Sequence, residues 1–175
     1  MARERDLARE LSEPKYASIE YERRWLVDNA ARPALDDREW MRIEDRYLDG
    51  TRCRLRRMST PDGWISCKLT KKYGADDPAA RPIVTAYLDE REYALFRALA
   101  GRDIAKRRYR LDITGQGWSL DIFEGPLQGL ELLEAEADGM AALDALVPPA
   151  WTVREITADA RFQCGALALG NIIPE

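Results

Sequence analysis

The sequence predicts an α+β fold: a closed or nearly closed eight-stranded antiparallel β-barrel with helices around it. Three observations carry this expectation. Apolar and polar residues alternate with a period of two along most of the chain. Tight-turn residues separate neighbouring runs. Like charges recur at i and i+2 on several runs, so each set shares one face of its strand. A chain of 175 residues has the size of one domain and can bury about two-thirds of its unfolded surface. We therefore expect residues 1–175 to form one domain, with a peripheral helix over 1–14 and the barrel over 16–169.

Taken in order, Asp6 to Glu13 sets Leu7 and Leu11 four apart among charges, which suits a short surface helix. From Tyr16 the period becomes two. Ile19, Tyr21, Arg23, Trp25 and Val27 lie on one face of the first strand, with Glu20, Glu22, Arg24 and Leu26 on the other. Further strands are expected at about 42–48, 51–58, 64–70, 83–88, 104–113, 118–124, 130–138 and 153–157. Asp49-Gly50, Pro61-Asp62-Gly63 and Gly115-Gln116-Gly117 supply hairpin turns. Helical patterns interrupt the strands at 90–100, capped by Asp89 and stopped by Gly101, at 140–146 before Pro148-Pro149, and at 158–169 before Gly170. The stretch 74–82, GADDPAARP, reads as a mobile loop.

Composition removes several kinds of chemistry. The absence of histidine excludes Ser-His-Asp and Cys-His nucleophilic sites, imidazole zinc sites and a histidine base. Cys53, Cys67 and Cys164 are odd in number and lack CxxC spacing, which argues against a disulfide scaffold and fits a reducing cytoplasm. No apolar run approaches the ~20 residues of a bilayer span, and no secretory signal precedes Tyr16. A net charge of −4 does not favour nucleic acid. Trp64, Trp118 and Trp151 read as packing residues rather than base-stacking platforms.

The charge rows are the informative feature. Glu20 and Glu22 form one; Arg52, Arg54 and Arg56 a second; Lys106, Arg108 and Arg110 a third; Glu134, Glu136 and Asp138 a fourth. Any one row alone would be the solvated face of a half-buried strand. Four strands that segregate their signs are poorly explained that way, because like charges side by side repel. If the turn at 60–63 joins its strands in simple register, Arg54 and Lys68 come close to facing each other, a pairing that needs an anion or nearby carboxylates. A barrel of ~8 strands resolves the problem by turning the rows inward around one small ligand. Tyr21, Trp25, Leu55, Leu69, Tyr109 and Leu111 would then pack outward beneath three helices. Guanidinium forks match phosphate oxygens, and carboxylates are hard ligands for Mg²⁺ or Mn²⁺, so the implied ligand is a polyphosphate with a divalent metal. Arg56 and Arg110 remain divided between ligand contact and solvent, and Lys71-Lys72 reads as an exposed pair.

At these residues the sequence resembles the CYTH family, or triphosphate tunnel metalloenzymes, which includes inorganic triphosphatases, thiamine triphosphatases and a class of adenylate cyclases. The family's ExExK appears as Glu20-Tyr21-Glu22-Arg23-Arg24, followed in order by Arg52-x-Arg54, Lys68 in SCKLT, Lys106-x-Arg108 in KRRY, Asp121 in LDIFEG, Glu134-x-Glu136 in LEAEAD and Glu155 in REITADARF. The resemblance implies an eight-stranded antiparallel tunnel. It implies phosphate ligation by Arg24, Arg52, Arg54, Lys68, Lys106 and Arg108, and metal ligation by Glu20, Glu22, Asp121, Glu134 and Glu136. Catalytic roles would fall to Glu20, Glu22, Glu136 and the tunnel carboxylate Glu155. Three departures stand out: Arg24 replaces the motif lysine, the strand at 83–88 lacks a glutamate, and Gln163-Cys164-Gly165 replaces a helix lysine. The expected activity is metal-dependent hydrolysis of the terminal phosphate of tripolyphosphate or a related triphosphate, by a cytoplasmic monomer or homodimer. An adenylate cyclase forming cyclic AMP, or a polyphosphate-binding module without turnover, stands as the alternative.

Overall fold

The computed structural model describes residues 16–175; the helix expected over 1–14 lies outside the described residues. Nine strands follow: β1 (Ser18–Val27), β2 (Trp40–Leu48), β3 (Cys53–Ser59), β4 (Ile65–Lys72), β5 (Ala80–Leu88), β6 (Gly101–Ile113), β7 (Gln116–Phe123), β8 (Glu131–Ala137) and β9 (Thr152–Glu155). Helix α1 (Glu90–Arg97) joins β5 to β6, α2 (Met140–Asp144) follows β8, and α3 (Cys164–Gly170) follows β9. The sheet runs β5-β4-β3-β2-β6-β7-β8-β1-β9, and an added β5–β1 pairing closes eight of the strands into a ring. All the pairings are antiparallel.

Closure depends on β1 sharing one edge between two partners. Ser18 to Tyr21 pair with β5, whereas Trp25 to Val27 pair with β9. The opposite edge of β1 pairs with β8 from Tyr21 to Leu26. The strand β9 is therefore an appendage of the ring.

Alternation gives the barrel two apolar regions rather than one. Trp25, Tyr109, Leu111, Trp118, Leu120 and Leu133 form an outer core, supported by Leu146 and Trp151. Trp25 and Trp118 meet edge to face with centroids 5.3 Å apart. A second core gathers Ile104, Phe123 and Leu132 with Phe162, Leu167 and Ala168. Ile104 shares a face with Lys106, and Leu132 with Glu134, so this cluster fills one end of the barrel interior. The expectation of three helices covering the outside thus needs correction, because α3 supplies this plug.

Local details also differ from expectation. β5 begins at Ala80, so the second part of the predicted loop is strand. The β6–β7 reversal turns on Thr114 and Gly115, both at positive φ, with Ile113 and Gln116 paired; this two-residue turn shares Gly115 with the predicted Gly115-Gln116-Gly117 turn and begins one residue earlier. In the β3–β4 hairpin Arg56 faces Lys68 and Arg54 faces Thr70, so the like-charge pair is displaced by two residues. Asp89 caps α1 by accepting from the Arg91 and Glu92 amides at 2.8 Å, and Glu92 accepts from the Asp89 amide at 2.9 Å. Gly101 is needed at the start of β6, since a Cβ there would stand 2.6 Å from the Tyr47 carbonyl oxygen.

Candidate active site

The inward faces of the ring enclose a cavity of about 420 Å³. Its wall carries Glu20, Glu22, Glu134 and Glu136 from β1 and β8. The facing cations are Arg24, Arg52, Arg54, Arg56, Lys72, Arg81, Lys106 and Arg108. Tyr47 and Gln163-Cys164-Gly165 border the apolar plug, and 73–75 form part of the rim. Period-two geometry explains why these residues meet: each row occupies alternate positions, and ring closure turns all four rows toward one axis.

Two buried aspartates hold the cations in place. Asp45 accepts from Arg56 at 2.6 and 2.7 Å and lies 3.8 Å from the Nε of Arg54. Burial alone would raise its pKa, but Arg56 and Arg54 outweigh that and hold it far below the ordinary carboxylate value. Asp121, 0% exposed, accepts from Arg108 through two bonds of 2.6 Å and from Lys106. Lys106 is itself 1% exposed. Burial opposes its charge, yet Asp121 and Glu134 raise its pKa, so it stays an ammonium.

Both oxygens of Asp121 are thus engaged by cations within the wall, and it does not join the carboxylates that converge. Glu134 faces the cavity but pairs with Arg108. Although burial pushes its pKa up, Lys106, Arg108 and Arg24 hold it far below normal. It stands among the cations.

The carboxylates that do converge are Glu20, Glu22 and Glu136, each offering an oxygen within 4.8 Å of the others. Glu22 and Glu136 are direct cross-strand partners, a like-charge pairing that costs stability without a cation between them. Burial, then Glu134, raise the pKa of Glu22, while Arg24 and Lys72 oppose the rise. Three hard oxygen donors in mutual repulsion fit a small divalent cation.

Glu155 was expected inside the tunnel and is not. It sits on β9 opposite Trp25, on the outer side, where Arg23 donates to it at 3.0 Å through Nε and again through Nη2. Thr157 donates to it at 2.8 Å. Lys68 shares the inward face of β4 with Thr70 and Lys72 but stands 5.5 Å from the Tyr87 ring centroid, apart from the main wall. Burial, followed by Arg56 and Arg54, lowers its pKa.

Sequence reasoning missed Lys72, Arg81 and Asp45. Lys72, read as exposed, points inward and pairs with Glu20. Arg81 faces inward because β5 starts early, and its Cα partner is Glu20. Arg56 is resolved as a buried wall residue. Gln163, at the place of the absent helix lysine, accepts from Arg24 Nη2 at 2.7 Å. The Nε atoms of Arg24 and Arg54 are buried without a hydrogen-bond partner. Arg52 crosses the backbone of Gly74, where a Cβ would come 2.9 Å from its Nη1.

An antiparallel ring with opposed acidic and basic inner rows defines a charged β-tunnel. No protein-family profile matches the chain. An inorganic triphosphatase of Nitrosomonas europaea (strain ATCC 19718) is 41% identical over 76 residues, 43% of this chain and 50% of that protein; the chain thus spans about half the length of the curated relative it matches. The crystal structure of the inorganic triphosphatase NE1496 superimposes with a TM-score of 0.56 at 28% identity, covering 89% of this chain and 97% of that one. A second structure of NE1496, described as a hypothetical protein, gives the same score and identity over 99% of its chain. Over most of its length the chain is therefore similar in fold to an inorganic triphosphatase. Among the described residues no helix is long and apolar enough to cross a membrane.

Proposed function

We propose that this tunnel hydrolyses the terminal phosphoanhydride of inorganic tripolyphosphate or a related triphosphate, with Mg²⁺ or Mn²⁺. The observation that carries the reading is the convergence of Glu20, Glu22 and Glu136 within 4.8 Å, opposite an excess of cations in one cavity. Those three glutamates would hold the metal, which when bound neutralises phosphate charge and lowers the pKa of a coordinated water. Arg24, Arg52, Arg54, Lys106 and Arg108 would hold the phosphate oxygens. Lys106 and Arg108 come pre-oriented by Asp121, so little reorganisation is needed as charge develops. Water attacks the terminal phosphorus in line, the P–O bond to the bridging oxygen breaks, and the pyrophosphate produced remains against the guanidinium row. Glu134 would position Arg108 through their ion pair. The free cysteines are compatible with a cytoplasmic monomer or homodimer.

The test is phosphate release from tripolyphosphate, thiamine triphosphate, ATP and GTP with either metal, beside a Glu20→Gln/Glu22→Gln variant. Metal-dependent release that disappears in the variant supports the reading. Binding without turnover of any substrate would replace the hydrolase by a polyphosphate-binding module, and cyclic AMP from ATP would replace it by a cyclase.

A further inference from the structure

Glu20, alone in the converging trio, is paired with a lysine. Lys72 Nζ bonds its carboxylate, and Arg81 stands opposite it across the β1–β5 ladder. Glu136 makes no ion pair with any described residue, while Glu22 has Arg24 at 3.0 Å. The backbone amide of Lys72 donates to the carbonyl of Arg52 at 3.1 Å, so Lys72 extends the phosphate-facing row of β3 onto β4. Its neighbour Lys71 lies on the other face, 4.9 Å from the Tyr73 ring centroid. A lysine ammonium is a point charge on a flexible stem and can change partner without moving the strand.

We propose that Lys72 is a metal-responsive counter-ion: it neutralises Glu20 in the metal-free tunnel, and a divalent cation that takes Glu20 releases it to bind the polyphosphate. The inference rests on the metal-triphosphate reading and adds a mechanism for coupling the two ligands. A metal binding alone must displace Lys72 and leave its ammonium beside Arg52 with no anion, which costs affinity. A triphosphate binding alone finds Lys72 already committed to Glu20. Each ligand therefore removes the other's penalty, and the coupling is reciprocal.

Calorimetry of Mn²⁺ alone, tripolyphosphate alone, and tripolyphosphate in the presence of Mn²⁺ tests this on the wild type, Lys72→Met, Lys72→Arg and the outward control Lys71→Met. Chelation of Mn²⁺ by tripolyphosphate in solution is common to all four and cancels between them. Lys72→Met is expected to bind Mn²⁺ alone about tenfold more tightly and to lose about tenfold of the enhancement that Mn²⁺ gives tripolyphosphate. Lys72→Arg should restore most of that enhancement, and Lys71→Met should behave as wild type. Circular dichroism establishes that each variant is folded. Unchanged or weaker Mn²⁺ binding by folded Lys72→Met, with coupling intact, overturns the counter-ion role and leaves the triphosphate reading standing. A wild type that binds neither Mn²⁺ nor tripolyphosphate overturns both.

Discussion

At the scale of single residues, the buried aspartates and the glutamates of the wall do different work, and substitution should separate them. Asp121 is the counter-charge for Lys106 and Arg108, so Asp121→Asn leaves two buried cations undercompensated. We expect a loss of about 3 kcal/mol in urea unfolding, together with weaker tripolyphosphate binding in calorimetry. Glu155 is the contrasting case: its side chain is 37% exposed and bonded to Arg23 outside the ring. Glu155→Gln should therefore cost no more than about 1 kcal/mol and leave turnover within about twofold, whereas Glu22→Gln should abolish metal-dependent phosphate release. The rows on β1, β3, β6 and β8 were legible because like charges repeat at strict i, i+2 spacing. Asp45 was not, since Glu44 and Arg46 flank it and no single-sign row marks its face. Glu155 misled for a related reason: it alternates correctly along its own strand, but β9 attaches outside the ring, and sequence period does not reveal which sheet edge a strand joins.

At the scale of elements, the positions of strands followed from turns and period, while registers followed from contacts remote in sequence. Glycine, proline and aspartate around 74–82 conceal the first residues of β5, and with them the inward placement of Arg81. That strand is fixed by pairing with β1, 61 residues upstream at Glu20 and Arg81, and no local pattern encodes such a partner. The junction of α1 and β6 gives a prediction at this scale. Gly101→Ala places a methyl group 2.6 Å from the Tyr47 carbonyl oxygen, so the β2–β6 ladder must shift where Leu48 pairs with residue 101. Urea unfolding should show a loss of about 1–3 kcal/mol, with reduced turnover because Tyr47 borders the cavity. Asp89→Ala removes the cap of α1, a helix none of whose residues is fully buried. It should cost about 1 kcal/mol and leave turnover unchanged.

The whole molecule is acidic, with a net charge of −4, yet its cavity wall carries eight cations against four carboxylates. That separation of sign has opposite consequences for acid stability and for ligand binding. Asp45 has a folded pKa held far below its unfolded value of about 3.9 by Arg56 and Arg54, so its contribution to stability is complete above about pH 4 and is lost as pH falls toward the folded value. Urea midpoints should hold from pH 7 to about 4 and drop below it, and Asp45→Asn should lower the neutral plateau while flattening the acid limb. A polyanion acts in the other direction. The cavity cations repel one another across a closed ring that cannot splay to separate them, and a bound tripolyphosphate relieves that repulsion only in the folded state. At a hundred times its dissociation constant such a ligand adds about 2.7 kcal/mol, which for a chain of this length corresponds to a rise of about 5–10 °C in Tm. Scanning calorimetry should show this rise with tripolyphosphate and a smaller one with orthophosphate, which spans fewer of the cations. Raising ionic strength at a fixed tripolyphosphate concentration should shrink it, because binding from bulk solution is screened even though the buried Asp45 and Asp121 pairs are not. A tripolyphosphate effect no larger than that of orthophosphate would mean that the basic rows act as isolated charges rather than as one extended site.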